Sequence, residues 1–200
     1  MKQLKKNIAI GVVASLATVV VPFATYAAAD TKTTTVNAVI GSTISMTTSG
    51  TVNLNVTPVS GGSQTSAADT VTVATNNSTG YVLTLSDSDA TTTLVSGANT
   101  IAAHVSTQAA STVLANNSWG YNVTGVGNFG TGGAGAVENN VTTSTIKYAG
   151  IPAFGAANTI KNTSTTATAD VTSVYYAVKA DTTKPSGTYT DIVTYTATTN

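Results

Sequence analysis

Few side chains in this sequence have the chemistry for catalysis. His104 is the only histidine, and no nucleophile motif surrounds it in Ala102-Ala103-His104-Val105. A hydrolytic triad needs a placed nucleophile and an acid beside the imidazole. We therefore interpret His104 as a structural or surface residue and predict that the protein is not an enzyme. A secreted hydrolase stays an alternative that no constellation of residues supports.

The acidic residues Asp87 and Asp89 follow a predicted strand as Asp-Ser-Asp. A Ca²⁺ ion binds six to eight oxygen atoms, and two loop carboxylates could supply part of such a set. The run lacks the further acids and the glycine of an EF-hand loop, so we interpret both residues as solvated loop acids. Because the chain has no cysteine, disulfides and thiolate metal sites are excluded as well. The sequence predicts neither a metal nor a cofactor.

Lysine residues within predicted strands raise the question of a Lys–Asn isopeptide crosslink, which needs a buried lysine, an asparagine and an acid. Lys147 and Lys179 lie in such strands. The alternation of apolar residues turns neither lysine inward, so the sequence leaves the crosslink open.

The amino-acid composition of the chain that carries these residues is unusual. Threonine accounts for 42 of the 200 residues, arginine is absent, and charged residues make up 8%, against about 25% in an average soluble protein. A surface of hydroxyl and amide groups is typical of β-rich extracellular proteins. From residue 30 onward five lysines face eight acidic residues, a net charge of about −3. Nucleic acids and anionic membrane surfaces need clustered positive charge and are not expected as partners.

The first 29 residues have the organisation of a secretory signal peptide. Basic residues 1–6 precede an apolar run over residues 8–21, Pro22 ends the run, and small residues follow. We predict cleavage after Ala27 or Ala29, a secreted protein associated with the cell surface, and membrane contact only through this segment before cleavage. An uncleaved anchor is the alternative, although the apolar run is shorter than the roughly 20 residues of a membrane span.

Residues 30–200 are predicted to form one all-β domain, an antiparallel β-sandwich of the immunoglobulin-like or Greek-key type. Short alternating runs separated by turn residues are typical of such folds. Strands are predicted over residues 33–40, 42–48, 51–57, 69–74, 81–86, 119–123, 143–148, 167–180 and 188–198. Residues 69–74 and 81–86 give the clearest hairpin. Loops are predicted over residues 58–68 and 154–166, and residues 107–114 could form a helical turn.

The strand nearest the C-terminus shows the cleanest alternation and closes the predicted sheet. One face carries Tyr189, Asp191, Val193, Tyr195 and Ala197, while the other carries mainly threonine. A carboxylate on the apolar face costs several kcal/mol unless it is paired or hydrogen-bonded. Either this face is partly wet near the start of the strand, or Asp191 ties down a neighbouring loop. We favour the second interpretation.

Three stretches resemble known bacterial surface domains. The stretch from Gly80 through Tyr81 and Leu83 is similar to the first motif of Gram-positive WxL cell-wall-binding domains. The stretch of Gly187, Tyr189, Asp191 and Tyr195 resembles the end of those domains. It also resembles the closing strand of spore coat U-type pilin domains, the archaic chaperone–usher pilins.

The spore coat U-type family also has a Trp-Gly pair followed by a Tyr-Gly-x-Ile-Pro turn. This chain has Trp119-Gly120 and then a turn from Tyr148 to Pro152 in the same order. At the positions of Trp-x-Leu in WxL domains it has Tyr-Val-Leu and Tyr-Thr-Ala.

Both resemblances imply a secreted, non-catalytic β-sandwich at a cell surface. The first expectation is a structural or adhesive binding module whose partner is a cell-wall polymer or another surface protein. The alternative is a pilin-like subunit that self-assembles when residues 33–40 pair with an exposed sheet edge of the next subunit.

Overall fold

The computed structural model describes residues 28–124, 129 and 134–200, and these residues contain strands but no helix. The predicted signal peptide lies almost wholly outside the described residues. Across the described ranges, no helix is long and apolar enough to cross a membrane. Residues 28–39 belong to a unit of their own. They lie outside the strands and are exposed, and an ion pair of 2.8 Å joins Asp30 to Lys32.

The prediction of a strand over residues 33–40 is wrong for the isolated chain. These residues alternate as a strand would, but a strand also needs a hydrogen-bonded partner. None of the described strands pairs with them. The apolar side chains at Val36, Val39 and Ile40 are consequently left in water, with exposures of 87%, 96% and 86%.

The described strands follow one another along the chain as β1 (Ile44–Thr47), β2 (Ser63–Thr75), β3 (Tyr81–Asp87), β4 (Thr93–Ser96), β5 (Asn99–Ala103), β6 (Thr112–Val113), β7 (Ser118–Val123), β8 (Lys147–Tyr148), β9 (Asn158–Asn162), β10 (Ala167–Ala180) and β11 (Val193–Thr199).

Within the described residues, these strands form a six-stranded, a three-stranded and a two-stranded sheet. The six-stranded sheet has the order β1-β2-β10-β7-β5-β4, the three-stranded sheet β11-β3-β9, and the small sheet β6-β8. Neighbouring strands are antiparallel except for β5 and β7, which run parallel. The all-β, mainly antiparallel class predicted from the sequence is confirmed.

The core lies between the two larger sheets and follows the predicted alternation. On β10 the buried side chains include Val174, Tyr176 and Val178, and the bounds of this strand match the prediction. The facing strand β3 contributes Tyr81 and Leu83. Full burial of one large apolar side chain stabilises a fold by about 1.5–3 kcal/mol. This shared core therefore supplies most of the attraction between the sheets.

The predicted hairpin between residues 69–74 and 81–86 is wrong. Both segments are strands, but β2 lies in the six-stranded sheet and β3 in the three-stranded sheet. The turn ends at Gly80, whose φ of 82° suits glycine, and it carries the chain from one sheet to the other. Turn chemistry shows that the chain reverses. It does not show whether the two strands pair or face each other across a core.

Two predicted loops contain strands. The loop predicted over residues 58–68 overlaps the first half of β2, because β10 is long enough to pair with β2 from Thr75 back to Ser63. The loop predicted over residues 154–166 contains β9, which pairs with β3. Neither segment has regular apolar alternation, so in both cases a neighbouring strand supplies the hydrogen bonds that define the element.

Other predicted elements are shorter or different in the structure. Residues 51–57 turn Val52, Leu54 and Val56 toward the core as predicted, but they lie outside the strand ladders. The carbonyl of Asn55 instead accepts a hydrogen bond of 3.0 Å from the Thr65 hydroxyl. The strand predicted over residues 143–148 is reduced to β8. In place of the helical turn, a tight turn precedes the short strand β6.

Buried tyrosine hydroxyls connect the two larger sheets. The Tyr176 hydroxyl on β10 lies 2.7 Å from the Tyr195 hydroxyl on β11. The Tyr81 hydroxyl on β3 donates to Asp170 on β10 at 2.9 Å. Burial raises the pKa of each of these three tyrosines above its ordinary value. Stability from a raised pKa is complete below the unfolded value of about 10 and is lost as pH rises through the folded pKa.

We predict that Tyr195→Phe and Tyr176→Phe each lower the free energy of unfolding by about 1–3 kcal/mol, because each leaves a buried hydroxyl without its partner. The double variant should cost less than the sum of the two. Tyr189→Phe is the matched control, since its hydroxyl bonds to the Pro185 carbonyl at an exposed position. Urea unfolding of the four proteins measures the coupling; purely additive losses would contradict the inter-sheet role.

Candidate functional site

The residues singled out by the sequence motifs do not form one surface site. Half of these ten residues are buried where the sheets and loops meet. The buried residues of this set are Tyr81, Leu83, Trp119, Gly120 and Tyr148. Pro152, Tyr189, Asp191 and Tyr195 are half-buried, and Gly187 is exposed. The set therefore marks structural contacts more than a ligand-binding surface.

The structure brings two of the motifs together. Gly120 lies on β7 beside Ala149, and paired backbone hydrogen bonds of 2.8 and 2.9 Å join Tyr121 to Ala149. A Cβ atom at position 120 would come within 2.3 Å of the Ala149 carbonyl oxygen. Only glycine allows so close an approach of the two backbones. The neighbouring Trp119 is buried, and its indole N–H donates to the Thr92 carbonyl at 3.2 Å.

The C-terminal motif has the predicted inward face, although β11 begins at Val193 and not at residue 188. Tyr189, Val193, Tyr195 and Ala197 pack against the core from its edge. Before β11, Thr190 forms an isolated bridge to Val95. The stretch therefore changes partner along its length, from the β4 edge of one sheet to β3 of the other.

His104 is buried beside β7, and its Nε2 atom lies 2.8 Å from the Thr112 hydroxyl. Its backbone N–H donates to the Trp119 carbonyl at 2.7 Å. Burial lowers the pKa of His104, so the imidazole is kept neutral in the folded protein. These contacts agree with the structural interpretation of this histidine.

The acidic residues after β3 have two different environments. Asp89 is exposed, as expected of a solvated loop acid, but for Asp87 that interpretation is wrong because this residue is fully buried. Its Oδ1 atom accepts a hydrogen bond of 3.0 Å from the Asp89 backbone N–H. The tight turn after the strand folds the chain back over Asp87. Among the described residues, no group of three or more metal-ligating side chains could hold a metal ion.

Asp191 faces inward near the start of β11. Its Oδ1 atom accepts a hydrogen bond of 2.8 Å from the backbone N–H of Ile192. This donor is the next residue of the same segment, and the Asp191 side chain also interacts with Asp87 at the end of β3. The expectation that Asp191 ties down a neighbouring loop stays a prediction. Burial, with the nearby carboxyls of Asp87 and Asp89, raises the pKa of Asp191 to about 6.

The lysines considered for a crosslink are not deeply buried. Lys147 is exposed and Lys179 is half-buried. A different strand lysine, Lys161 on β9, is in contact with an acid, and its ammonium group lies 2.5 Å from Asp170. No signal in the sequence identified Lys161, since it lies in a segment without regular alternation.

An open groove of about 990 Å³ runs between β9 and the facing parts of β7 and β10. Its lining includes Gln108, Ile160, Val171 and Thr172. In the described part of the chain, β9 pairs only with β3, so its other edge borders this groove. The Thr172 hydroxyl is buried and has no hydrogen-bond partner among the described residues. The groove was not predicted from the sequence, because the segment that forms β9 was predicted as a loop.

Polar groups fix the two ends of the groove. At one end Lys161 reaches across from β9 to Asp170 and to the Val171 carbonyl, the latter at 3.3 Å. At the other end the Gln108 amide donates to the Thr159 carbonyl at 2.8 Å and accepts from the Tyr121 hydroxyl at 2.7 Å. The groove between these ends combines hydroxyl, amide and backbone groups with apolar side chains. Such a lining can bind an uncharged chain that has both polar and apolar parts.

A comparison of the chain with protein-family models found no match, and comparisons with curated proteins and with solved structures found no significant match either.

We predict that Gly120→Ala lowers the free energy of unfolding by about 3 kcal/mol or more, because the added methyl group would overlap backbone that cannot move without breaking the bridge. Gly41→Ala is the control, since a Cβ atom there meets nothing within 4 Å. Thermal unfolding of both variants measures the difference. Equal melting temperatures would contradict the close approach of β7 and Ala149.

Proposed function

We propose that this protein is a secreted, non-catalytic β-sandwich of the immunoglobulin-like or Greek-key type that serves as a structural or adhesive module at a bacterial cell surface. Its partner is a cell-wall polymer or another surface protein. The N-terminal signal sequence and the threonine-rich, weakly charged composition support export. The resemblance to WxL and spore coat U-type domains supports the surface location.

The observation that carries a binding role is the groove beside β9. Its hydroxyl and amide groups resemble the polar groups that fix a ligand's orientation in binding sites, and its apolar floor includes Ile160 and Val123. An exposed strand edge at the same place provides backbone N–H and C=O groups for an extended ligand. A polymer or peptide chain without strong charge fits this chemistry better than a nucleic acid does.

We predict that the chain from residue 30 onward sediments with purified Gram-positive cell walls and that Val171→Trp weakens this binding about tenfold, or about 1.4 kcal/mol. Val171 is half-exposed in the groove lining, so the indole would occupy the groove without disturbing the core. Thr194→Trp, on the exposed face of β11, is the matched control.

The bound fraction is measured at increasing wall concentration for the three proteins, with circular dichroism to check their folding. Equal binding by the Val171→Trp variant and the control would contradict the groove as the site. No sedimentation of the unmodified chain would contradict the wall polymer as partner.

A second candidate function, a pilin-like subunit, is favoured by a specific observation at the N-terminus. Residues 33–40 are exposed and unpaired with any described strand, and Val36 and Ile40 would lie on one side of an ideal strand. An exposed alternating segment and an unpaired strand edge on the same chain are the two halves of a strand-addition interface. Copies of the chain would then join end to end in an open, head-to-tail series.

We predict that Val36→Ser combined with Ile40→Ser abolishes any high-mass species that the chain from residue 30 onward forms. Loss of the two apolar anchors removes about 3 kcal/mol or more of burial at each junction. Val105→Ser, which changes an equally exposed valine elsewhere, is the control. Size-exclusion chromatography with light scattering gives the masses. If the chain stays monomeric at high concentration, the pilin-like function is contradicted. The binding module is then the function that remains.

A further inference from the structure

Asp87 and Asp191 meet where three segments converge. Asp87 ends β3, and its neighbour in the antiparallel ladder is Val193, the first residue of β11. The Asp87 backbone N–H donates to the Pro152 carbonyl at 2.8 Å, and the Ser88 N–H donates to the Ile192 carbonyl at 3.0 Å. The start of β11 is therefore held close to the end of β3.

Both carboxyl groups have an oxygen atom without a hydrogen-bond donor. The Oδ1 atoms accept backbone N–H groups, from Asp89 for Asp87 and from Ile192 for Asp191. The Oδ2 atoms of Asp87 and Asp191 are buried and have no partner among the described residues. A buried, unpaired carboxylate oxygen is costly. Because two such oxygen atoms lie at one corner of the fold, we expect one group to stabilise both.

A proton is the stabilising group that the surroundings of the two carboxyl groups favour. The acidic groups that raise the pKa of Asp191 are Asp87 and Asp89, after the larger effect of burial. In the part of the chain that the structure describes, the lysines in ion pairs are Lys32 and Lys161, each with another acid. No third ligating side chain completes a metal site there. Two adjacent carboxylates without a cation cannot both ionise without strong repulsion.

We propose that Asp87 and Asp191 share one proton and form an acid-stabilised clasp that fixes the start of β11 against the end of β3. The hydroxyl of the protonated carboxyl donates to the unpartnered oxygen of the other carboxylate. When the proton is lost, the two charges repel each other and the start of β11 is loosened. Because β11 is an edge strand, the clasp makes the order of one sheet edge depend on pH. This device is independent of the binding role proposed above.

The direction of the pH dependence follows from the raised pKa of Asp191. Its contribution to stability is complete below the unfolded pKa of about 3.9 and is lost as pH rises through the folded pKa of about 6. His104, whose pKa is lowered by burial, acts in the opposite direction, since its contribution is lost as pH falls. The effect of the clasp on stability is therefore measured as the difference between the unmodified chain and a variant that retains His104.

The test compares thermal unfolding of the unmodified chain and Asp191→Asn between pH 4 and pH 8. The amide N–H can donate to Asp87 without a titrating proton, so the variant should be several degrees more stable than the unmodified chain at pH 7.5. This difference should shrink or reverse at pH 4.5. Asp30→Asn, at an exposed position, is the control and should follow the unmodified chain. Parallel profiles for the chain and the Asp191→Asn variant would overturn the clasp.

Two further measurements keep the proposal falsifiable if the variant does not fold. Carbon-13 NMR of the unmodified chain should show a side-chain carboxyl that titrates near pH 6, and titration of every aspartate near pH 4 would overturn the shared proton. Addition of Ca²⁺ at pH 7.5 should leave the melting temperature unchanged. A rise with Ca²⁺ would show a cation between the carboxylates and would likewise overturn the proposal.

Discussion

Buried tyrosine hydroxyls hold the two larger sheets in one relative position, and the rest of the fold depends on that constraint. An apolar core attracts the sheets but tolerates small displacements, because burial energy depends on area and not on direction. A hydrogen bond is directional, and a buried hydroxyl without its partner costs about 1–3 kcal/mol. The pairs Tyr176–Tyr195 and Tyr81–Asp170 therefore favour one alignment of the sheets. In a chain without cysteine, they fix the alignment that a disulfide fixes elsewhere.

This constraint separates a rigid centre from edges that are free to interact. The tyrosine contacts join β10 to β3 and β11, whereas β9 and the segment before β1 have backbone groups that the strand ladders do not use. Hydrogen-bonded central strands and less constrained edges are the usual division between stability and function. Few charges protect these edges, because charged residues make up only 8% of the chain. The edges therefore combine unused backbone groups with few neighbouring charges.

The sequence predicted what depends on local alternation and missed what depends on a distant partner. The bounds of β10 and the inward face of the C-terminal stretch follow from period-two patterns, which each segment carries in itself. The pairing of β2 with β10, the strand β9 and the separation of β2 from β3 follow from the arrangement of the sheets. For the same reason the groove beside β9 was not predicted. The contact of Gly120 with Ala149 could have been predicted from the sequence, because a glycine in a strand indicates close approach of another backbone.

The inward-facing carboxyl groups of this weakly charged chain differ in the partners that stabilise them. Asp170 is held by the Tyr81 hydroxyl and the Lys161 ammonium group, which keep its pKa below the usual range despite its partial burial. Asp69 accepts the Ser49 backbone N–H on Oδ1. Asp87 and Asp191 each accept one backbone N–H group, and their remaining oxygens are buried without a partner among the described residues. These four are half of the eight acidic residues in the chain. At the corner between β3 and β11, burial and the neighbouring acids raise the pKa of Asp191 instead of lowering it, because no cation offsets them among the described residues.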